Sequence, residues 1–270
     1  MLHIILLVTL VLFFTLMGII GVIQTKRLLK TDIDEKVRVQ TYATTTFGLW
    51  IPVIVLFSVI VFSDITFVDI GFTLLSFDLN IVVTIIVMIA AFLFSAYFIF
   101  YRIIAFLFSA KHRQKRKKIL DEQAKGSDYY ELVTSKLMTP RTKREKRWWV
   151  CVSLAAGICE EIIFRGAYIF LLISIFPNLS IYLVFAITVV LFGLGHFYQG
   201  AKGLIISSLV GALFTAIYIV SGSLIIVVVI HILTDFANAF EYSHDDADEL
   251  APRSKGLSNI QRKTISTLDL

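Results

Sequence analysis

The chain has 270 residues, is 57% hydrophobic with a mean hydropathy of +0.83, and carries a formal net charge of +5. That apolar content exceeds the ~45–50% of soluble domains, which excludes an ordinary soluble globule and indicates an integral membrane protein. Only four prolines and fourteen glycines are present, which favours long helices, and the ~10-residue alternating segments of a membrane β-barrel are absent.

In chain order, windowed hydrophobicity predicts spans at about 3–24, 43–62, 81–108, 148–175, 179–197, 203–221 and 222–240. The expected fold is an all-α polytopic membrane bundle of about seven transmembrane helices. The first span lacks a basic leader region and a small-residue cleavage site, so it reads as a retained helix rather than a signal peptide. Lys26, Arg27, Lys30, Lys36 and Arg38 follow it. The 63–80 connection holds no Lys or Arg, and the sequence leaves open whether it lies in the interface or dips inward. The 109–147 connection holds thirteen basic residues, including KHRQKRKK at 111–118 and RTKREKR at 141–147. Lys202 marks the turn after the fifth span, and Arg253, Lys255, Arg262 and Lys263 lie in the tail.

Basic and non-basic connections alternate, which places the N-terminus outside and the C-terminus inside. Four regions result: an N-terminal three-helix membrane region at 1–110, a basic cytoplasmic loop at 111–147, a four-helix core at 148–240 and a cytoplasmic tail at 241–270. The basic runs flank membrane helices, so attraction to anionic lipid at ~1 kcal/mol per charge accounts for them without nucleic acid. Cys151 and Cys159 read as free apolar thiols.

Of twenty acidic residues, seventeen fall in loops or tails; the exceptions are Glu160, Glu161 and Asp235. His196 and His231 also lie inside spans, and all five residues sit in the last four helices. Arg102 is a turn or two from the end of its span and is read as snorkelling. A charge at the bilayer centre costs at least ~2.5–3.5 kcal/mol, so an ionisable residue there marks a functional site by default. Glu161 and Arg165 are four apart on one helical face, as are Phe192 and His196, and His231 and Asp235. Glu160 comes ~18 Å and His231 ~14 Å into their helices at 1.5 Å per residue. His196 falls at the inner end of its span, so a shared site requires the fifth helix to bend or start deeper. Structural glue alone is a poor explanation, because interhelical polar contacts in membranes average ~0.6 kcal/mol.

A carboxylate and a histidine on one water can act as a general base, and a second histidine can stabilise an oxyanion, which suits amide hydrolysis. No serine-nucleophile signature accompanies the histidines, and Ser207 and Ser208 read as packing residues. HExxH is absent. No metal and no cofactor is expected, although zinc is chemically allowed. If the protein is zinc-dependent, Glu160, His196 and His231 are the ligands, with Asp235 as a further candidate.

The three motifs are Glu160-Glu161-Ile-Ile-Phe-Arg165, then Phe192-Gly-Leu-Gly-His196 running into FYQG, then His231-Ile-Leu-Thr-Asp235. Their order and spacing resemble the CAAX protease and bacteriocin-processing family, also called CPBP or Abi, over about 148–240. The resemblance implies a CPBP/Abi catalytic core acting as an intramembrane glutamic endopeptidase of a bacterial plasma membrane. It implies Glu160 as the base, assisted by His196, and His231 with the residue at 235 as the oxyanion site. Glu161, Arg165 and Phe192 would be supporting residues. Eukaryotic-type members carry Asn where this chain has Asp235. An Asp donates a hydrogen bond only when protonated, so either it is protonated, or His231 acts alone, or Asp235 orients His231. The implied partners are a membrane peptide or protein substrate and the lipid bilayer. The alternatives are a non-proteolytic membrane regulator or bacteriocin-immunity protein of the same family, and a proton-coupled transporter. The last is disfavoured by the absence of an internal repeat.

Overall fold

The computed structural model of the chain describes residues 1–28, 33–73, 85–86, 89, 93, 137 and 140–237. Apart from single positions, the predicted third span at 81–108 with its Arg102, the basic loop up to residue 139, and the tail at 241–270 lie outside the described residues.

Among the described residues every regular element is helical. α1 (Leu2–Leu28) and α2 (Glu35–Val61) have 27 residues each. α1 ends on Lys26 and Arg27, cations that suit the negative end of a helix dipole. α2 starts at Asp34, whose carboxylate accepts from the Val37 N–H at 2.8 Å, an N-cap. Both helices outrun the predicted spans at 3–24 and 43–62, because a hydropathy window stops where caps and polar turns begin.

α3 (Lys143–Glu161) starts inside the stretch read as a basic loop. The reason is a capping box: Thr142 Oγ1 accepts from the Glu145 N–H at 3.2 Å, and Glu145 Oε2 accepts from the Thr142 N–H at 3.1 Å. The rod continues through a π-helical stretch, Ile162–Ala167, into α4 (Tyr168–Ile175). The predicted helix at 148–175 is therefore one rod whose hydrogen-bond pattern changes midway. α5 (Ile181–Gly195), a short 3₁₀ turn (Phe197–Gln199), α6 (Gly200–Ser221) and α7 (Leu224–Ala237) complete it. Gly222 ends α6 with φ +61°, the left-handed conformation that glycine adopts without a Cβ penalty.

By length and composition, α1, α2 and the stretch Phe197–Ser221 can each cross a membrane; α5 and α7 are shorter apolar helices. Large apolar side chains point outward, among them Leu12, Val61, Val190 and Leu209, while Glu145, Glu161 and Arg165 are fully buried. Apolar residues outside and charges inside mark a protein solvated by lipid.

Leu6, Leu10, Val53 and Leu56 of α1 and α2 share one core with Phe164, Tyr168, Phe192 and Phe214. α2 runs parallel to α3, joined by the buried pair Arg38–Glu145 and by the edge-to-face rings of Tyr42 and Trp149. α7 packs back against α3, and α5 against α6. The 63–73 segment, whose placement the sequence left open, seals the end of the bundle away from Arg38 and Glu145. Ile65 and Ile70 are buried, Gly71 O accepts from the Leu224 N–H at 2.9 Å, and Thr73 Oγ1 donates to Gly222 O at 2.6 Å.

Candidate active site

The glutamate doublet ends α3 where the backbone passes into the π stretch. Such stretches shift the side-chain register of a helix and occur often at functional sites. Glu161 and Arg165 are both fully buried, and Arg165 Nη1 donates to Glu161 Oε1 at 2.9 Å. Arg165 Nη2 donates to Gly211 O on α6 at 3.1 Å. Its guanidinium carbon lies 4.3 Å from the centroid of the Phe192 ring and 5.6 Å from that of Phe214. A Cβ on Gly211 would meet Phe192 Cδ1 at 2.7 Å, so only glycine lets this carbonyl and the ring share the guanidinium.

The same Glu161 oxygen lies 2.6 Å from His231 Nδ1 on α7. Because that oxygen already accepts from Arg165, the hydrogen-bond network assigns a proton to His231 Nδ1. His231 Nε2 then faces Asp235 Oδ2 at 3.7 Å.

His196 caps the C-terminus of α5. Its Nδ1 is 2.8 Å from Phe192 O, and a carbonyl can only accept, so Nδ1 carries the proton. Neutral His196 therefore presents an Nε2 lone pair, and it faces Glu160 Oε2 at 3.8 Å. That Glu160 oxygen is buried and has no hydrogen-bond partner among the described residues. The sequence required α5 to bend or start deeper; instead it stops at Gly195, and the turn beyond carries the imidazole to the carboxylate.

The structure thus brings together Glu160 with His196, and Glu161 with Arg165, His231 and Asp235, with Phe192 beneath both groups. Asp235 is the most open of them, its side chain 28% exposed against 13% for Glu160, 17% for His196 and 8% for His231. Among the described residues no three His, Cys, Asp or Glu side chains are arranged to hold a metal ion. Of the zinc set Glu160, His196 and His231, the first two face each other, and His231 Nδ1 is turned to Glu161. Both cysteines are free.

Residues absent from the sequence reading also position the site. Trp149 Nε1 donates to Asp235 O at 2.9 Å, which ties α3 to the stretch of α7 that carries His231 and Asp235. Glu145 lies within the basic run RTKREKR, yet its Oε1 accepts from Arg38 Nε at 2.9 Å, which ties the start of α3 to α2. The Thr142-x-x-Glu145 spacing ahead of an apolar run was a readable signal for it. No sequence pattern announced Trp149.

Residues 144–237 match the family model described as Type II CAAX prenyl endopeptidase Rce1-like. The matched stretch spans the helices that carry the site and agrees with the resemblance of the three motifs. The matched model describes a protease family, and the match together with the apolar helices supports a membrane protein. No curated protein and no solved structure matches the chain.

Proposed function

We propose that the chain is an intramembrane endopeptidase in which Glu160 and His196 activate a water that attacks a peptide carbonyl. The observation that carries this is the 3.8 Å gap between Glu160 Oε2 and His196 Nε2. Both atoms are acceptors, the first unpartnered and the second left with its lone pair by the Phe192 carbonyl. One water donating a hydrogen to each, at ~2.8 Å, spans such a gap. Glu160 takes one proton as the water oxygen bonds to the carbonyl carbon. The negative charge passes to the carbonyl oxygen, and the proton goes on to the departing amine as the C–N bond breaks.

His231, with Asp235 beside it, faces the other side of the cluster. Lying between two carboxyl groups, it donates from both ring nitrogens as imidazolium. Nδ1–H is spent on Glu161, and Nε2–H is the donor for the oxyanion. In this reading Asp235 orients His231, and Glu161 with Arg165 fixes the ring from behind. The substrate is a membrane-associated peptide or protein reaching the site from the Asp235 side. The protein sits in a bacterial plasma membrane with about seven spans, the N-terminus outside and the C-terminus inside, as the alternation of basic connections supports.

The test uses purified, chelator-treated protein and a panel of membrane-associated peptides, with and without a prenylated C-terminal cysteine. Glu160→Gln and His196→Ala each lower cleavage by ~10²–10⁴-fold. Wild-type rates in both variants would refute the assignment.

A further inference from the structure

Among the described residues the His196 ring makes one hydrogen bond, from Nδ1 to Phe192 O. One bond fixes a direction and leaves the ring free to tilt about it. Two aromatic neighbours limit the tilt. Phe192 lies on one side, ring centroids 4.7 Å apart at 41°, and Tyr198 stacks nearly parallel, centroids 6.2 Å apart at 26°. These distances fall within the offset-stacked range.

Tyr198 stands on the three-residue 3₁₀ turn, closed by the Gln199 N–H donating to His196 O at 2.9 Å and ended by Gly200 at φ +84°. Such turns have poor hydrogen-bond geometry and little stiffness of their own. The stiffness comes from α1. A Cβ placed on Gly21 would lie 3.0 Å from Tyr198 Cβ and 3.1 Å from its Cγ, so the bare backbone of α1 is the seat of the tyrosine. Gln199 Nε2 donates to Tyr198 Oη at 3.2 Å.

We infer that Tyr198, seated on Gly21 of α1, is a positioning residue that holds the His196 ring with Nε2 aimed at Glu160. α1 lies outside the 144–237 match, so the N-terminal helix supplies a part of the site that the matched helices lack. The inference rests on the peptidase reading, and it takes its test from two separate measurements.

The first is the ¹⁵N spectrum of histidine-labelled full-length protein in detergent micelles, with His196→Gln to assign the signal. Wild type and Tyr198→Phe show one tautomer, protonated at Nδ1. Tyr198→Leu and Gly21→Leu show averaged nitrogens. The second is peptide cleavage, where Tyr198→Leu and Gly21→Leu lower kcat by about tenfold or more with KM little changed, while Tyr198→Phe stays near wild type. If Tyr198→Leu does not fold, Gly21→Ala carries the test, since its methyl displaces the tyrosine by a few tenths of an ångström and shifts the His196 signal in the same direction. A His196 signal unchanged in Tyr198→Leu and Gly21→Leu overturns the inference, as does Tyr198→Phe behaving like Tyr198→Leu, which would transfer the role to the hydroxyl. Absence of cleavage in the wild-type protein would sink the peptidase reading and leave the spectral result standing on its own.

Discussion

Gly157→Ala adds one methyl group where α3 meets α7. An ideal Cβ at this position lies 2.9 Å from the backbone nitrogen of Ile232 and 3.2 Å from its Cα, besides overlapping the Ile232 side chain. The side chain can rotate away, but the backbone cannot, so α7 must retreat by about half an ångström to restore van der Waals contact. The residue next to Ile232 is His231, whose 2.6 Å bond to Glu161 sets the second half of the site. Two effects oppose one another in stability. Alanine is favoured over glycine in a helix by ~1 kcal/mol, and overpacking costs ~1–3 kcal/mol, so the net change is a loss of up to ~2 kcal/mol. Activity has no such compensation: a misplacement of ~1 Å can cost ~10²-fold, so half of that predicts about a tenfold loss in kcat. Gly18→Ala and Gly48→Ala are the controls, because their new methyl groups would meet nothing nearer than 3.8 Å and 3.6 Å. Detergent-solubilised variants are compared by reversible unfolding and by peptide cleavage. Wild-type kcat in Gly157→Ala, together with a stability gain matching the controls, would refute the close-packing argument.

Glu145→Ala is expected to destabilise by ~3–5 kcal/mol, because it strands the buried Arg38 charge and removes the capping box. Arg38→Met should cost distinctly less, since Glu145 Oε2 keeps the backbone N–H groups of Arg141 and Thr142; equal losses in the two unfolding curves would contradict this asymmetry. Trp149→Phe keeps the ring against Tyr42 and loses only the donor to Asp235 O. A stability loss of ~0.5–1.5 kcal/mol is expected, with a fall in kcat that exceeds any change in KM, read from steady-state kinetics. Asp69 accepts from both the backbone N–H and the Oγ1 of Thr66, each at 2.7 Å, which holds its carboxyl below the ordinary aspartate range. With the folded pKa depressed, its stabilisation of the 63–73 segment is present above the unfolded pKa and is lost as pH falls through the folded one. Thr66→Val removes the hydroxyl donor and keeps the backbone N–H, so the Asp69 titration, followed by NMR, should move up part of the way towards the ordinary range.

What could be read from the linear chain was whatever depends on composition and local spacing. Lipid as the solvent followed from the apolar excess, and helices followed from long runs with few prolines. Glu160, Glu161, Arg165, Phe192, His196, His231 and Asp235 stood out because a charge or imidazole among apolar residues is costly unless it is used. The i, i+4 spacing put Arg165 on Glu161 before any coordinates did. Contacts across helices lay beyond that reach. The π stretch after Glu161, the stop of α5 one residue before His196, and the turn that lays Tyr198 against α1 depend on which backbones approach each other. Hydropathy windows average over such details. The same holds for Glu145, hidden among lysines and arginines yet buried against Arg38, and for Gly157, Gly21 and Gly211, whose missing side chains count only because another helix occupies the space. A tautomer is likewise a tertiary property: only the Phe192 carbonyl and the shared Glu161 oxygen decide which nitrogen of each histidine is free to act.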